Sequence, residues 1–129
     1  MTTAPAPSAL TLAAERELVR LAATPPNPQR LERQLRHLAK WRSQVLANTQ
    51  THRMGVTVQA GPFAGMSYSV ESADGGRAPR LLGVYEASLH PVIEAIIARA
   101  YSQVLDIGCA EGYYAVGLAR RMPGTTVHA

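Results

Sequence analysis

The chain has 129 residues, of which 47% are apolar and 17% charged, a composition typical of a single folded domain rather than a disordered chain. The single cysteine excludes a disulfide framework and a cysteine-rich zinc site. No apolar run reaches the roughly 18–20 residues that a membrane span needs, and residues 1–8 lack the basic and apolar regions of a secretory signal. We expect a cytoplasmic protein without a membrane segment, with residues 1–8 as a disordered lead-in.

The net charge of +4 is concentrated in the first half of the chain. Residues 1–53 hold eight basic and three acidic residues, whereas residues 54–129 hold five basic and six acidic residues. A basic half of this kind fits an anionic partner such as nucleic acid. It equally fits a solvated helix surface, and the sequence leaves both interpretations open.

Residues 9–54 are predicted to form a helical hairpin. The first helix covers residues 10–23, where the composition favours helix. A proline-rich turn then breaks it, and Asn27 is a good N-cap for a second helix with Pro28 at its first position. This second helix is expected to continue to about residue 50.

An apolar stripe follows one face of the second helix, at a spacing that suits packing against another helix. It consists of Leu31, Leu35, Leu38, Val45 and Leu46, with Trp41 beside it. The stripe is broader than one short partner helix requires, and an exposed apolar surface of that size is usually an interface. We therefore predict that residues 10–50 mediate a homodimer.

Residues 55–80 are predicted to form a β-hairpin and a polar loop. Apolar and polar residues alternate around Val56 and Val58, and again over residues 66–70, with a glycine-rich turn between the two stretches. Residues 72–80 are predicted to form the loop. A helix is then predicted over residues 87–100, with Pro91 in its first turn.

The remainder of the chain has an α/β pattern. Residues 104–107 are a short apolar run typical of a buried parallel strand. A glycine-rich turn follows, then a helix over about residues 112–121 and the start of a second strand at residues 125–129. A strand that leads through a glycine turn into a helix is a ligand-binding device, since open α/β sheets bind ligands at the carboxyl ends of their strands.

The spacing of the glycines separates two classes of cofactor. A dinucleotide fingerprint has glycines at relative positions 1, 3 and 6, which here are Gly108, Ala110 and Tyr113. Only one of the three is glycine, and tyrosine suits poorly a position where helix and strand pack closely. The alternative pattern, an acid followed by glycines at positions 1, 3 and 5, is matched by Asp106, Gly108 and Gly112, with Ala110 as a conservative departure.

Residues 104–119, VLDIGCAEGYYAVGLA, resemble motif I of the class I S-adenosylmethionine-dependent methyltransferases. The resemblance implies a Rossmann-like, doubly wound sheet and methyl transfer from a sulfonium to an acceptor that the sequence does not identify. It also implies that Asp106 lies near the amino-acid portion of the cofactor, and that residues 81–86 fold over the cofactor cleft. The cofactor-binding residues that it implies are Asp106, Gly108, Cys109, Ala110, Glu111, Gly112 and Tyr113.

Residues 81–129 are accordingly expected to be the incomplete start of an S-adenosylmethionine-binding domain. An acid that binds the ribose is expected at or just past Ala129, and residues 124–129 contain none. We therefore expect the N-terminal part of a methyltransferase that is truncated after its second strand and is inactive by itself. Its catalytic residues are not identified and no metal is expected. The alternatives are a non-enzymatic helical module for dimerisation or nucleic-acid binding, and a fragment of a nicotinamide-dependent oxidoreductase.

Overall fold

The computed structural model describes residues 6–70 and 76–129. The chain divides into two compact units, the first ending at Leu46 and the second beginning at Ala47. Each unit is described by itself below. None of the helices within the described ranges is long and apolar enough to cross a membrane.

The first unit is built from two helices, and the predicted cap between them is confirmed. Helix α1 covers Ala9–Ala22 and helix α2 covers Pro28–Met54, so α2 continues into the second unit. The Asn27 side-chain oxygen accepts a hydrogen bond from the backbone N–H of Arg30 at 2.7 Å, which satisfies one of the free donors at the start of α2. The predicted lead-in falls partly on residues 1–5, which lie outside the described residues.

Within the first unit, the two helices are antiparallel, and the side chains that α1 buries do not cover the leucine stripe of α2. Ala14 and Leu21 of α1 are buried, and a ring nitrogen of His37 on α2 lies 3.2 Å from the carbonyl oxygen of Ala14. By contrast, Leu31 and Leu35 are each 60% exposed. The apolar stripe of α2 is therefore largely uncovered in the described part of this unit.

The predicted β-hairpin is present in a minimal form. One antiparallel bridge joins Thr57 to Ser67, supported by a backbone hydrogen bond from the Val58 N–H to the Met66 carbonyl at 2.8 Å. Pro62 and Phe63, in the connecting loop, are buried, and the Phe63 ring lies within the core of this unit. The loop thus contributes side chains to the core. Regular pairing of two longer strands is interrupted there, and one bridge remains.

The prediction of a polar loop over residues 72–80 was wrong in its second half. Residues 71–75 lie outside the described residues, but Arg77–Leu82 form helix α3. Leu81 is fully buried on this helix, and Gly83 ends it in the left-handed conformation, with φ 76°. The burial of Leu81 explains why a segment that begins with polar residues is helical.

The second half of this unit contains a small parallel sheet with one crossover helix. Strand β1 covers Gln103–Leu105 and strand β2 covers Thr126–His128, and their register pairs Val104 with Val127. Helix α5, Tyr113–Arg121, connects them. The predicted helix upstream is a 3₁₀ turn at Ala87–Leu89 followed by helix α4, His90–Arg99, with proline in its first turn. The prediction that this region combines helices with a parallel sheet is confirmed.

The strand predicted to be buried is covered on one face only. Val104 and Val127 pack against the core of the unit, whereas Leu105 is 68% exposed and Ile107 is 88% exposed. Helices of the described residues cover the first face, and nothing within the described ranges covers the second. The apolar run therefore forms a strand of the predicted kind, and one crossover helix leaves its second face open.

The core of the second unit is aromatic and is assembled from separate segments. The ring centroids of Phe63 and Tyr113 are 5.3 Å apart, and those of Tyr68 and Tyr113 are 5.6 Å apart, both in edge-to-face geometry. Its buried members are Val58, Phe63, Met66, Tyr68, Leu81, Ile93, Tyr113, Leu118 and Met122. This packing joins the loop of residues 60–65 to α5 and to the segment before α4.

Candidate functional site

A cleft of about 210 Å³ lies in the second unit, where β1 ends and the chain turns into α5. It is formed by two stretches of sequence, the β1–α5 turn with the start of α5, and α3 with the segment that follows it. The lining residues are Arg80, Tyr85, Glu86, Asp106, Gly108, Cys109, Ala110, Glu111, Tyr113 and Tyr114. A volume of 210 Å³ is below the roughly 300–1,000 Å³ of ordinary small-molecule pockets, so this cleft accommodates a small ligand or one end of a larger one.

The backbone of the β1–α5 turn is left-handed at three alternate residues. Gly108 and Gly112 have φ values of 83° and 80°, and Ala110 has φ 46°. Glycine adopts this conformation freely, whereas an L-residue such as Ala110 is strained there by about 1–2 kcal/mol. Added at Gly108, a Cβ atom would have no atom within 4 Å. The turn therefore leaves open space beside its backbone, and strain at such a place is typical of a binding site.

Asp106 carries a buried carboxylate oxygen that needs a partner. Its backbone N–H donates to the His128 carbonyl at 2.8 Å, which fixes the residue at the end of β1 beside β2. Its Oδ2 atom is buried and has no hydrogen-bond partner among the described residues. Leaving a charged oxygen buried without a donor is costly. Asp106 is therefore suited to accept a hydrogen bond from a bound ligand.

A buried arginine forms the next part of the cleft wall. Arg80 is 4% exposed, and its guanidinium group lies 4.1 Å from the centre of the Tyr85 ring and 3.8 Å from a carboxylate oxygen of Glu111. Stacking on an aromatic ring and pairing with a carboxylate are the two interactions that stabilise a buried guanidinium. They also connect the segment after α3 to the β1–α5 turn.

Two tyrosines at the start of α5 complete the cleft. Tyr113 is buried, and its hydroxyl donates to the Arg80 carbonyl at 3.4 Å. The Tyr114 hydroxyl donates to the Glu86 carboxylate at 2.5 Å. Burial raises the pKa of both phenols, and the hydrogen bond to Glu86 raises the pKa of Tyr114 further. Both side chains are consequently neutral donors at physiological pH.

Six of the seven residues predicted to bind a cofactor line this cleft. They are Asp106, Gly108, Cys109, Ala110, Glu111 and Tyr113. Gly112 is outside the lining, because it turns the backbone into α5 as the helix N-cap. The structure thus brings six of the predicted residues together around the cleft, while Gly112 contributes to the conformation of the turn.

The predicted site omitted Arg80, Tyr85, Glu86 and Tyr114. The sequence carried a signal for two of these residues, since residues 81–86 were expected to fold over the cleft, and Tyr85 and Glu86 do line it. Tyr114 follows Tyr113 directly, and the sequence could not establish which of the two would face the cleft. Arg80 had no signal, because its burial depends on Tyr85 and Glu111, and Glu111 is distant in the sequence.

Comparison with known proteins adds no family to this description. No protein-family model, curated protein or solved structure matches the chain. Within residues 6–70 and 76–129, no three histidine, cysteine, aspartate or glutamate side chains are grouped so that they could hold a metal ion. The chemistry of this site must therefore be inferred from the cleft itself.

Proposed function

We propose that this cleft binds the amino-acid end of S-adenosylmethionine and that the chain is part of an S-adenosylmethionine-dependent methyltransferase with a Rossmann-like sheet. The observation that carries the proposal is the buried, unpartnered oxygen of Asp106, beside a left-handed turn at the carboxyl end of a parallel strand. This edge is where open α/β sheets bind ligands. An α-ammonium group is a charged donor that would satisfy such an oxygen.

The charges of the cleft fit a ligand that carries both signs. Asp106 is suited to the α-ammonium group, while Arg80 stands across the cleft near Glu111. When bound, the cofactor supplies a methyl group on a positively charged sulfur, which makes that methyl electrophilic. The chain's own residues orient the amino-acid end, and the small volume of the cleft suits the methionyl portion of the cofactor, from the α-ammonium to the sulfonium.

The position of Tyr113 favours this cofactor over a nicotinamide dinucleotide. A dinucleotide fingerprint needs a small residue there, so that the helix approaches the strand closely. Tyr113 is 5% exposed, and its ring is packed against Phe63 and Tyr68. The side chain is an integral part of the core, so a dinucleotide turn is not the geometry that this sequence favours.

Calorimetric titration of the full chain with S-adenosylmethionine tests the proposal. We expect saturable binding that Asp106→Asn weakens by about ten- to a hundredfold, because a hydrogen bond to a charged group contributes roughly 1.5–3 kcal/mol. Glu15→Gln removes a negative charge from the exposed surface of α1 and is the matched control, with affinity unchanged.

Gly112→Val provides a second test through the turn. A side chain at φ 80° strains the backbone, whereas the nearest atom to an added Cβ, on Val116, is at 3.5 Å. We expect a severe loss of affinity with the fold largely retained. Unchanged affinity in both variants, or saturable binding of a nicotinamide dinucleotide in place of S-adenosylmethionine, would overturn the proposed function.

A further inference from the structure

We propose that Glu86 makes the cleft selective for the positively charged sulfonium of S-adenosylmethionine over the neutral thioether that remains after methyl transfer. This proposal rests on the proposed function and assigns a role to a residue outside the motif I turn. Glu86 belongs to the segment between α3 and α4, whereas Asp106 belongs to the β1–α5 turn. The two carboxylates therefore approach the cleft from different parts of the chain.

The backbone holds Glu86 in a conformation that a glutamate rarely adopts. Its φ and ψ are 46° and 47°, in the left-handed region. A conformation of this kind costs about 1–3 kcal/mol and persists only where the surroundings enforce it. Here Gly83 precedes it with φ 76°, and the Glu86 carbonyl accepts a hydrogen bond from the Leu89 N–H at 2.8 Å. The local fold thus places this side chain in the cleft wall at a conformational cost.

The carboxylate of Glu86 is oriented without being neutralised. The Tyr114 hydroxyl donates to it at 2.5 Å, and the raised pKa of Tyr114 keeps that phenol uncharged. A neutral donor fixes the position of the carboxylate and leaves its negative charge in place. Tyr114 is itself held by the aromatic core, with its ring centroid 5.8 Å from that of Phe63.

Among the described residues that line the cleft, acidic side chains outnumber basic ones. The guanidinium of Arg80 lies with the carboxylates of Glu86, Asp106 and Glu111. The Arg80–Glu111 pair, at 3.8 Å, offsets one charge of each sign. The charges of Glu86 and Asp106 remain and favour a ligand with a net positive charge.

The ligand carries two groups that these carboxylates can distinguish. The α-ammonium is present before and after methyl transfer, whereas the sulfonium becomes a neutral thioether. If Asp106 binds the α-ammonium, it contributes equally to the affinity for both ligands. Glu86, from the other segment, then contributes to the difference between them.

The test compares the affinities of the full chain for S-adenosylmethionine and S-adenosylhomocysteine by calorimetry. Glu86→Gln keeps the shape and the hydrogen-bond acceptor for Tyr114 but removes the charge. We expect it to weaken S-adenosylmethionine binding by roughly three- to tenfold, as for a charge pair in a partly exposed site. Binding of S-adenosylhomocysteine should change less than about twofold.

Two further measurements separate the possible outcomes. Asp106→Asn should weaken both ligands by a similar factor, and Glu15→Gln should affect neither. In the wild-type chain, the preference for the charged ligand should decrease as salt is raised, because salt screens charges in a partly exposed cleft.

Equal changes in the two affinities with Glu86→Gln, including no change in either, would overturn this proposal and leave the proposed function intact. Failure of the wild-type chain to bind either ligand would instead overturn the proposed function, and the role of Glu86 with it. The two failures are thus distinguishable in one set of titrations.

Discussion

The two units cover their apolar side chains to different extents. In the first unit, Leu31 and Leu35 of α2 are each 60% exposed, while Leu21 of α1 is buried. In the second unit, large rings are buried, and Phe63 is 1% exposed. The hairpin is made from helices that are neighbours in the sequence, whereas the second core combines the 60–65 loop, α3, α4 and α5.

This difference shows what an apolar pattern does and does not specify. The spacing of the leucines on α2 identifies which face of the helix is apolar. Whether that face is covered depends on side chains that come from elsewhere in the chain. In the second unit Phe63 and Tyr68 supply that cover for Tyr113 of α5, and the described part of the first unit has no equivalent for the leucine stripe.

The largest effect is expected from a matched pair of truncations, Phe63→Ala and Leu35→Ala. Phe63→Ala removes a buried ring that contacts Tyr113 and Tyr114, and should lower the free energy of unfolding of the second unit by about 3–5 kcal/mol. Leu35→Ala removes a mostly exposed side chain and should change the stability of the hairpin by about 0.5 kcal/mol or less.

The chain contains a separate optical reporter for each unit. Its one tryptophan, Trp41, is in α2, and all five tyrosines are in the second unit. Denaturant unfolding followed by tryptophan fluorescence and by near-ultraviolet dichroism of the tyrosines therefore measures both variants. Comparable losses from the two truncations would contradict the contrast between a covered and an uncovered apolar face.

Alkaline pH should weaken the second unit selectively. Burial raises the pKa of Tyr113 and Tyr114 in the folded state, while a tyrosine in the unfolded chain has a pKa of about 10. Below pH about 10 both states keep the phenolic protons. As the pH rises above that value, the unfolded state releases protons that the folded state retains, so the free energy of unfolding falls.

Unfolding of the second unit between pH about 8 and about 11 checks this expectation. Tyr114→Phe should flatten the decline, because it removes one of the two phenols whose pKa is raised in the folded state. Tyr101→Phe alters an exposed side chain and serves as the control. A free energy of unfolding that stays constant, or rises, across this range would show that these phenols are not protected from ionisation.

Replacing leucines of the α2 stripe should have the smallest effect on stability. It should, however, change the assembly of the chain. An open apolar groove of about 430 Å³ lies between α1 and α2 and includes Leu31 and Leu35, and exposed surfaces of this kind favour association. We expect sedimentation to show a dimer of the wild-type chain and a monomer of the Leu31→Gln/Leu35→Gln variant. Val92→Gln, at an exposed position of α4, should not alter the mass. A wild-type chain that stays monomeric at high concentration would contradict this prediction.

The sequence predicted those parts of the fold that are governed by local rules. Asn27 and Pro28 determine where α2 begins because capping involves only neighbouring residues, and the glycine turn after β1 predicts α5 for the same reason. Helix α3 was missed because its Leu81 packs in a core assembled from other segments, which the local sequence does not indicate. The exposure of Ile107 fits a sheet of two strands with a single crossover helix, which covers only one of its faces.

The candidate site shows the same distinction between features governed by local sequence and features that depend on contacts between segments. The side of the cleft contributed by residues 106–113 belongs to one continuous motif, and the resemblance to motif I implies which residues meet there. The opposite side depends on Arg80 stacking on Tyr85 and on Glu86 receiving the Tyr114 hydroxyl. The contact between Glu86 and Tyr114 joins residues 28 positions apart in the sequence, and no local pattern encodes it.

The close approach of the backbone at Gly61 and Gly83 limits which codon changes this gene tolerates. A Cβ atom on Gly83 would lie 1.9 Å from the carbonyl oxygen of Ala60, and one on Gly61 would lie 2.5 Å from the carbonyl oxygen of Gly83. Both clashes are with backbone, which cannot rotate away as a side chain can. Any missense change at either codon adds a Cβ atom, so a saturation library should be depleted at these two positions and tolerant at Gly124, where an added Cβ would meet no atom within 4 Å.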